Sequence, residues 1–229
     1  MGRKIIFLAA VCLLAACGIM GFAYQSERSP EYALVQIAEG IAGKDYAKVS
    51  KYANLERIVT EGYDESTAIL SRDVEKLNKQ YPQDWFFYHD TAFMEKYIAE
   101  RRSDDLQLIL RTIEIGLDPE VQPISRTDGQ AKWISDESLK FQQEYSAELG
   151  QVQRDGKKAV AEIIIKGNDS DYGRLAPELN MKLEMQEQED GHWRVERVAN
   201  VDEMFAPVLK GIEDYWDLQG WPVRELDKE

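Results

Sequence analysis

The sequence predicts an α+β domain in which N-terminal amphipathic helices pack on a C-terminal antiparallel sheet of about four strands, closed by a final helix. Three observations predict it. Apolar residues recur at helical spacing over 29–118, alternation takes over across 139–200 with Asp-Gly pairs between the runs, and a broad apolar stripe returns over 202–218.

In chain order, residues 1–24 read as an export signal or membrane anchor, and residues 25–229 as one extracytoplasmic domain. Arg3 and Lys4 precede the apolar run Ile5 to Ala16, which ends in small residues before the expected cleavage point. The tetrad Leu14-Ala15-Ala16-Cys17 looks like the lipobox of bacterial lipoproteins, which implies a diacylglyceryl thioether on Cys17 and cleavage after Ala16. A second reading stands beside it. Ile5 to Tyr24 carries no charge, and a helix of 20 residues is about 30 Å long, enough to span a bilayer uncleaved. A soluble secreted product is the third reading. All three export the domain, since the basic pair holds the N-terminus inside and no second apolar span follows.

Ser29-Pro30 opens a first helix carrying Leu34, Ile37, Ala38 and Ile41, and Gly43 ends it. Asp45 caps a second with Val49 and Tyr52, and Asn54 a third starting at Leu55, Ile58 and Val59. A further helix bearing Leu70, Val74, Leu77 and Tyr81 stops at Pro82. After the aromatic stretch "DWFFYHD", Thr91 to Ile115 reads as one long helix or two broken near Ser103, with Gly116 and Pro119 as stops. Aromatics beside a proline turn read first as plugs between helices, and Trp85 also as a candidate binding surface.

In the second half Tyr145, Ala147 and Leu149 share one strand face, Ala159, Ala161, Ile163 and Ile165 a second, and Leu179, Met181, Leu183 and Met185 a third. Asp155-Gly156 and Asp190-Gly191 mark tight turns, so the block reads as a meander with one buried face. The last helix places Met204, Phe205, Val208, Leu209, Ile212, Tyr215 and Trp216 on one stripe that must cover apolar surface.

Composition limits the function classes. The formal charge is −14, and removing Arg3 and Lys4 with the N-terminal segment takes it to −16. Such a field repels phosphate backbones and anionic lipid, so nucleic acid is not an expected partner. The only other cysteine is Cys12, inside the apolar run, so the domain contains no thiol for disulfides, thiolate-bound zinc or nucleophilic catalysis.

Two segments, "SPEYALVQIAEGIAGKDYAKVSKYANLERIV" and "GHWRVERVANVDEMF", resemble the domain-of-unknown-function family numbered 2939 and its relatives among bacterial envelope proteins. The resemblance covers about a quarter of the chain. It implies a helix pair opened by Ser29-Pro30 and Asp45, and a strand-loop-helix ending with Trp193 in the last strand, as in cystatin-like, nuclear-transport-factor-like lipoproteins. The helical middle from Tyr63 to Gly116 lies outside a minimal cone-shaped fold and favours a helical layer added to a curved sheet. The family implies no established activity.

No metal or cofactor site is expected, because the two histidines, His89 and His192, lack ligand-spaced partners and no glycine-rich phosphate loop or serine elbow is present. "NDSDYG", Asn168 to Gly173, fails as a calcium loop, since a start at Asp169 puts Arg174 where glycine is needed. Glu162, between Val160 and Ile164, is the carboxylate nearest to an apolar surround. The expectation is a non-enzymatic, membrane-tethered module that binds an envelope protein or a small apolar ligand at a surface near Trp85 or Trp193. The alternatives are a small cone-fold enzyme using a buried carboxylate such as Glu162, and a structural subunit of an envelope complex.

Overall fold

The computed structural model describes residues 27–176 and 178–218, apart from the side chains of residues 140 and 141. The expected signal or anchor, with Cys17, lies outside the described residues. Among those described, no helix is long and apolar enough to cross a membrane.

Helix α1, Pro30–Ala42, starts where Ser29 Oγ accepts the Tyr32 N–H at 3.1 Å and proline occupies the first turn. Helix α2, Tyr46–Tyr52, is capped by Asp45, whose Oδ1 accepts the Lys48 N–H at 2.9 Å. Helix α3 runs unbroken over Leu55–Gln80 from an Asn54 cap, so the two helices expected there are one. Its buried residues, from Leu55, Ile58, Val59 and Tyr63 through Leu70, Val74 and Leu77, keep one stripe on the core. That burial outweighs the roughly 1 kcal/mol cost of Gly62 in the helix interior.

A short 3₁₀ turn, Trp85–Tyr88, leads into helix α4, Thr91–Leu117, which is continuous through Ser103. Helix α5, Arg126–Gln142, was not expected, and it moves the start of the sheet from residue 139 to Tyr145. Its first turn is a reciprocal capping box: Asp128 Oδ2 accepts the Ser125 N–H at 3.1 Å, and Ser125 Oγ accepts the Asp128 N–H at 3.1 Å.

Strands β1 (Tyr145–Asp155), β2 (Lys158–Gly167), β3 (Glu178–Glu187) and β4 (Trp193–Val198) form an antiparallel meander in the order β1-β2-β3-β4. The registers Ala147↔Ile165, Ile163↔Met181 and Met185↔Val195 bring the alternating apolar residues to one face. Gly156 (φ 58) and Gly191 (φ 86) supply the left-handed backbone in the two hairpin connections. The β4 edge is covered: Ala53 bridges Val195, and the Asn54 N–H donates to the Val195 carbonyl at 2.8 Å.

Helix α6, Val201–Leu218, closes the domain over α3 and β3, α5 lies against β1, and α4 packs on α3 and α5. The fold is therefore the expected α+β arrangement of helices on an antiparallel sheet with a final helix. One apolar cluster draws on the helices and the sheet together, from Leu34 and Val74 to Ile163, Trp193 and Phe205.

Candidate functional site: an aromatic strip before and along helix α4

Two aspartates shape the site. Asp84 Oδ1 accepts the Phe86 N–H at 3.0 Å and starts the 3₁₀ turn, and Asp90 Oδ1 accepts the Phe93 N–H at 2.8 Å and starts α4. The turn divides its aromatics, sending Phe86 and Phe87 into the core while Trp85 and Tyr88 stay 39% and 62% exposed. The reading of the whole stretch as core plugs therefore holds for two of its four rings.

The exposed rings continue along α4. Trp85, His89, Phe93 and Tyr97 follow one another at intervals of four residues, and each meets the next. Trp85 meets the His89 ring edge-on with centroids 4.6 Å apart, His89 stacks on Phe93 at 3.7 Å, and Phe93 stacks on Tyr97 at 5.9 Å. Phe93 is 37% exposed. His89 Nε2 is buried and meets no hydrogen-bond partner among the described residues, so this imidazole is held by ring contacts.

Four residues further on, the Arg101 guanidinium lies 5.8 Å from the Tyr97 ring centre and donates to Asp105 Oδ1 at 3.0 Å. Asp105 is buried, and its Oδ2 accepts the Tyr63 hydroxyl at 3.1 Å. Burial, followed by the Asp105 charge, pushes the Tyr63 phenol well above its ordinary range. The hydroxyl is thus a fixed donor. The strip begins in exposed indole and ends in an ion pair between half-exposed Arg101 and buried Asp105, and the Tyr63 hydrogen bond to Asp105 ties α4 to α3.

The other expected site residues lie elsewhere. Trp193 is fully buried, so its own ring forms no part of an exposed surface. Its register opposite Glu187, two residues from inward-facing Val195, puts the indole on the core face, and the Arg154 guanidinium covers its ring at 4.7 Å. Glu162 projects from the opposite sheet face beside half-exposed Val160, packed over Gly150, where an added Cβ would meet Glu162 Oε2 at 2.9 Å. It stands on an inner strand, in register with Lys182 of β3. His192 stays in the β3–β4 connection, where Nδ1 meets Asp190 and Nε2 faces the Lys51 carbonyl at 3.3 Å. The loop at Asn168 is tied to itself: Asn168 Oδ1 accepts the Ser170 N–H at 2.9 Å and Arg174 pairs with Asp171 at 2.7 Å. Among the described residues no three of His, Cys, Asp and Glu are placed to hold a metal ion.

Trp85 is the one site residue from the sequence that sits on an exposed aromatic surface. His89, Phe93 and Tyr97 as its continuation were overlooked, although their four-residue spacing was readable. The chain matches no protein-family model, no curated protein and no solved structure.

Proposed function

We propose that the protein is a membrane-tethered extracytoplasmic binding module of the bacterial envelope, which engages a protein partner or an apolar ligand through the aromatic strip starting at Trp85. The observation that carries the binding reading is the exposure of Trp85, Tyr88 and Phe93 on one turn and the helix it enters. Exposed rings clustered this way cost solvation and are characteristic of contact surfaces, where aromatics supply much of the affinity. The tether reading rests on Arg3, Lys4 and the apolar run from Ile5, with either a lipid on Cys17 or a helix through Tyr24 as the anchor.

A photo-crosslinking residue at Tyr88, introduced in native membranes, tests the surface against the same probe at Asn180 on the outer sheet face. The proposal expects a discrete adduct from Tyr88 and none from Asn180; adducts from Asn180 alone would move the contact surface to the sheet. Intact-mass analysis of wild type and Cys17→Ser tests the tether. A lipid anchor gives loss of residues 1–16 with added acyl mass, abolished by the substitution, and an unmodified full-length mass in the membrane fraction gives the helix. Recovery in the soluble fraction alone would overturn the tether.

A further inference from the structure

The two ends of the domain differ in what they can meet, and we infer that the end formed by residues 27–31, the C-terminus of α2 and the two hairpins lies on the membrane surface, holding the aromatic strip away from it. The inference rests on the tether reading. Three features carry it.

The first is where the chain enters. Both hairpins sit at one end of the sheet, because β1 and β3 run towards it and β2 and β4 run back, and the Glu187 N–H joins the two by donating to the Lys157 carbonyl at 2.9 Å. Arg28 lies against the second hairpin, since a Cβ on Gly191 would stand 3.4 Å from its Cδ. Tyr32 meets Tyr52 edge-on at 6.3 Å, and Tyr52 meets the His192 ring at 5.7 Å, so the start of α1 and the end of α2 share this end. The expected anchor is close by. Arg28 is four residues from Tyr24, about 14 Å at full extension, and eleven from Cys17, about 39 Å.

The second is where the strip stands. Helix α3 leaves from beside Val195 and follows β4 away from the hairpins, with Arg57 on Glu196 at 3.4 Å and then Glu65 on Arg197 at 3.1 Å. Its 26 residues carry the chain about 39 Å before Trp85 is reached. A helical anchor through Tyr24 therefore holds the hairpin end at the headgroups, and a lipid on Cys17 leaves the choice of end to charge.

The third is that charge. Residues 27–31, Lys51, 154–158 and 187–194, which make up the hairpin end, hold six Lys or Arg and six Asp or Glu. The other described residues hold 18 Lys or Arg against 33 Asp or Glu. An anionic leaflet repels the rest of the domain and admits this end, where Lys51 and Lys157 are exposed and their ammonium groups suit headgroup phosphates. The partner of the strip is then met in the aqueous space beyond the headgroups, not in the bilayer.

The test uses the full chain in nanodiscs of phosphatidylcholine with phosphatidylglycerol, a fraction of the lipids carrying a nitroxide on the headgroup. A fluorophore is attached through a noncanonical residue at one of three exposed positions, Lys157, Glu189 or Tyr88. The nitroxide quenches only at short range. The probes at Lys157 and Glu189 are expected to lose most of their emission, and the probe at Tyr88 to keep it. Quenching at Tyr88 equal to that at the hairpins would overturn the inference by laying the domain flat, and stronger quenching there would invert it. Emission kept at all three positions, with the chain still eluting with the nanodiscs, would overturn the orientation while leaving the tether. A chain that elutes free of the nanodiscs would remove the tether reading itself, and the inference with it.

Discussion

Asp128 serves two elements with one carboxylate. Its Oδ1 accepts from Arg111 Nε at 2.7 Å, joining α5 to α4, while Oδ2 accepts the N–H groups of Ile124 and Ser125, both at 3.1 Å, at the start of α5. The Arg111 hydrogen bond first, and the Ile124 N–H second, hold its carboxyl down to about 2. An unfolded aspartate titrates near 4, so the stability this carboxylate contributes is fully present above that value and is lost as pH falls through about 2. Asp128→Asn removes the contribution. The urea midpoints of wild type and variant are expected to differ by a constant amount above pH 5 and to converge between pH 4 and pH 2; an undiminished difference at pH 2 would refute the assignment. Asp105 tests burial more directly. Asp105→Ala leaves the Tyr63 hydroxyl and Arg101 without their shared acceptor, and is expected to cost about 2–4 kcal/mol in urea unfolding. Asp105→Asn keeps an acceptor for Tyr63 and should cost less, so equal losses would mean that the hydroxyl bond contributes nothing.

Among the elements, α4 and α5 depend on close approach. A Cβ on Gly116 would meet Ser135 Oγ at 2.8 Å, which is too near, whereas Ser135 Cβ would lie at an ordinary 3.8 Å. Gly116→Ala therefore sets a gain in helix propensity of up to about 1 kcal/mol against a clash with one side-chain oxygen. The two residues should couple: Ser135→Ala is expected to be less harmful in the Gly116→Ala background than in wild type, by about 0.5–2 kcal/mol in a double-mutant cycle. Additive effects would show that the helices separate without strain. The same pair of helices explains what could be read from the sequence. Caps at Ser29, Asp45 and Asn54 and the alternation in β2 and β3 were legible because each rests on local chemistry or a strong period. Helix α5 was overlooked because its buried face includes Ala131, Ser135 and Ser138, small residues that give a weak apolar period, although Ser125 and Asp128 stood at capping-box spacing. The strip was hidden by Asp90, a cap that divides one line of rings between two elements. Trp193 was misplaced although its alternation with Val195 already put it inside. The Tyr63–Asp105 bond joins positions 42 residues apart, and no local pattern encodes it.

At the scale of the whole molecule, one core decides how the domain fails. Met204, Phe205, Val208, Leu209, Ile212, Tyr215 and Trp216 of α6 are all buried, and they belong to the same cluster as Val74 on α3 and Met181 on β3. At about 1.5–3 kcal/mol for each such side chain, α6 buries apolar surface worth on the order of 10–20 kcal/mol, as much as the net stability of a typical domain. The helix cannot be removed as an independent lid. Tyr215 also donates its hydroxyl to Glu137 Oε2 at 2.8 Å, so loss of α6 strips a partner from α5 as well as from the sheet. Asn200 secures the other end, accepting the Lys182 N–H at 2.8 Å and donating to the Asn180 carbonyl at 2.8 Å, so the chain enters α6 already fastened to β3. A chain ending at Asn200 is therefore expected to show no cooperative thermal transition, with helical and sheet signals lost together. The milder change Phe205→Ala should cost about 3–5 kcal/mol, with far-ultraviolet circular dichroism and tryptophan fluorescence giving the same midpoint. If the shortened chain kept a cooperative sheet signal, or if the two probes separated in Phe205→Ala, helices and sheet would be independent units, and contacts such as Ala53 on Val195 would merely adjoin them.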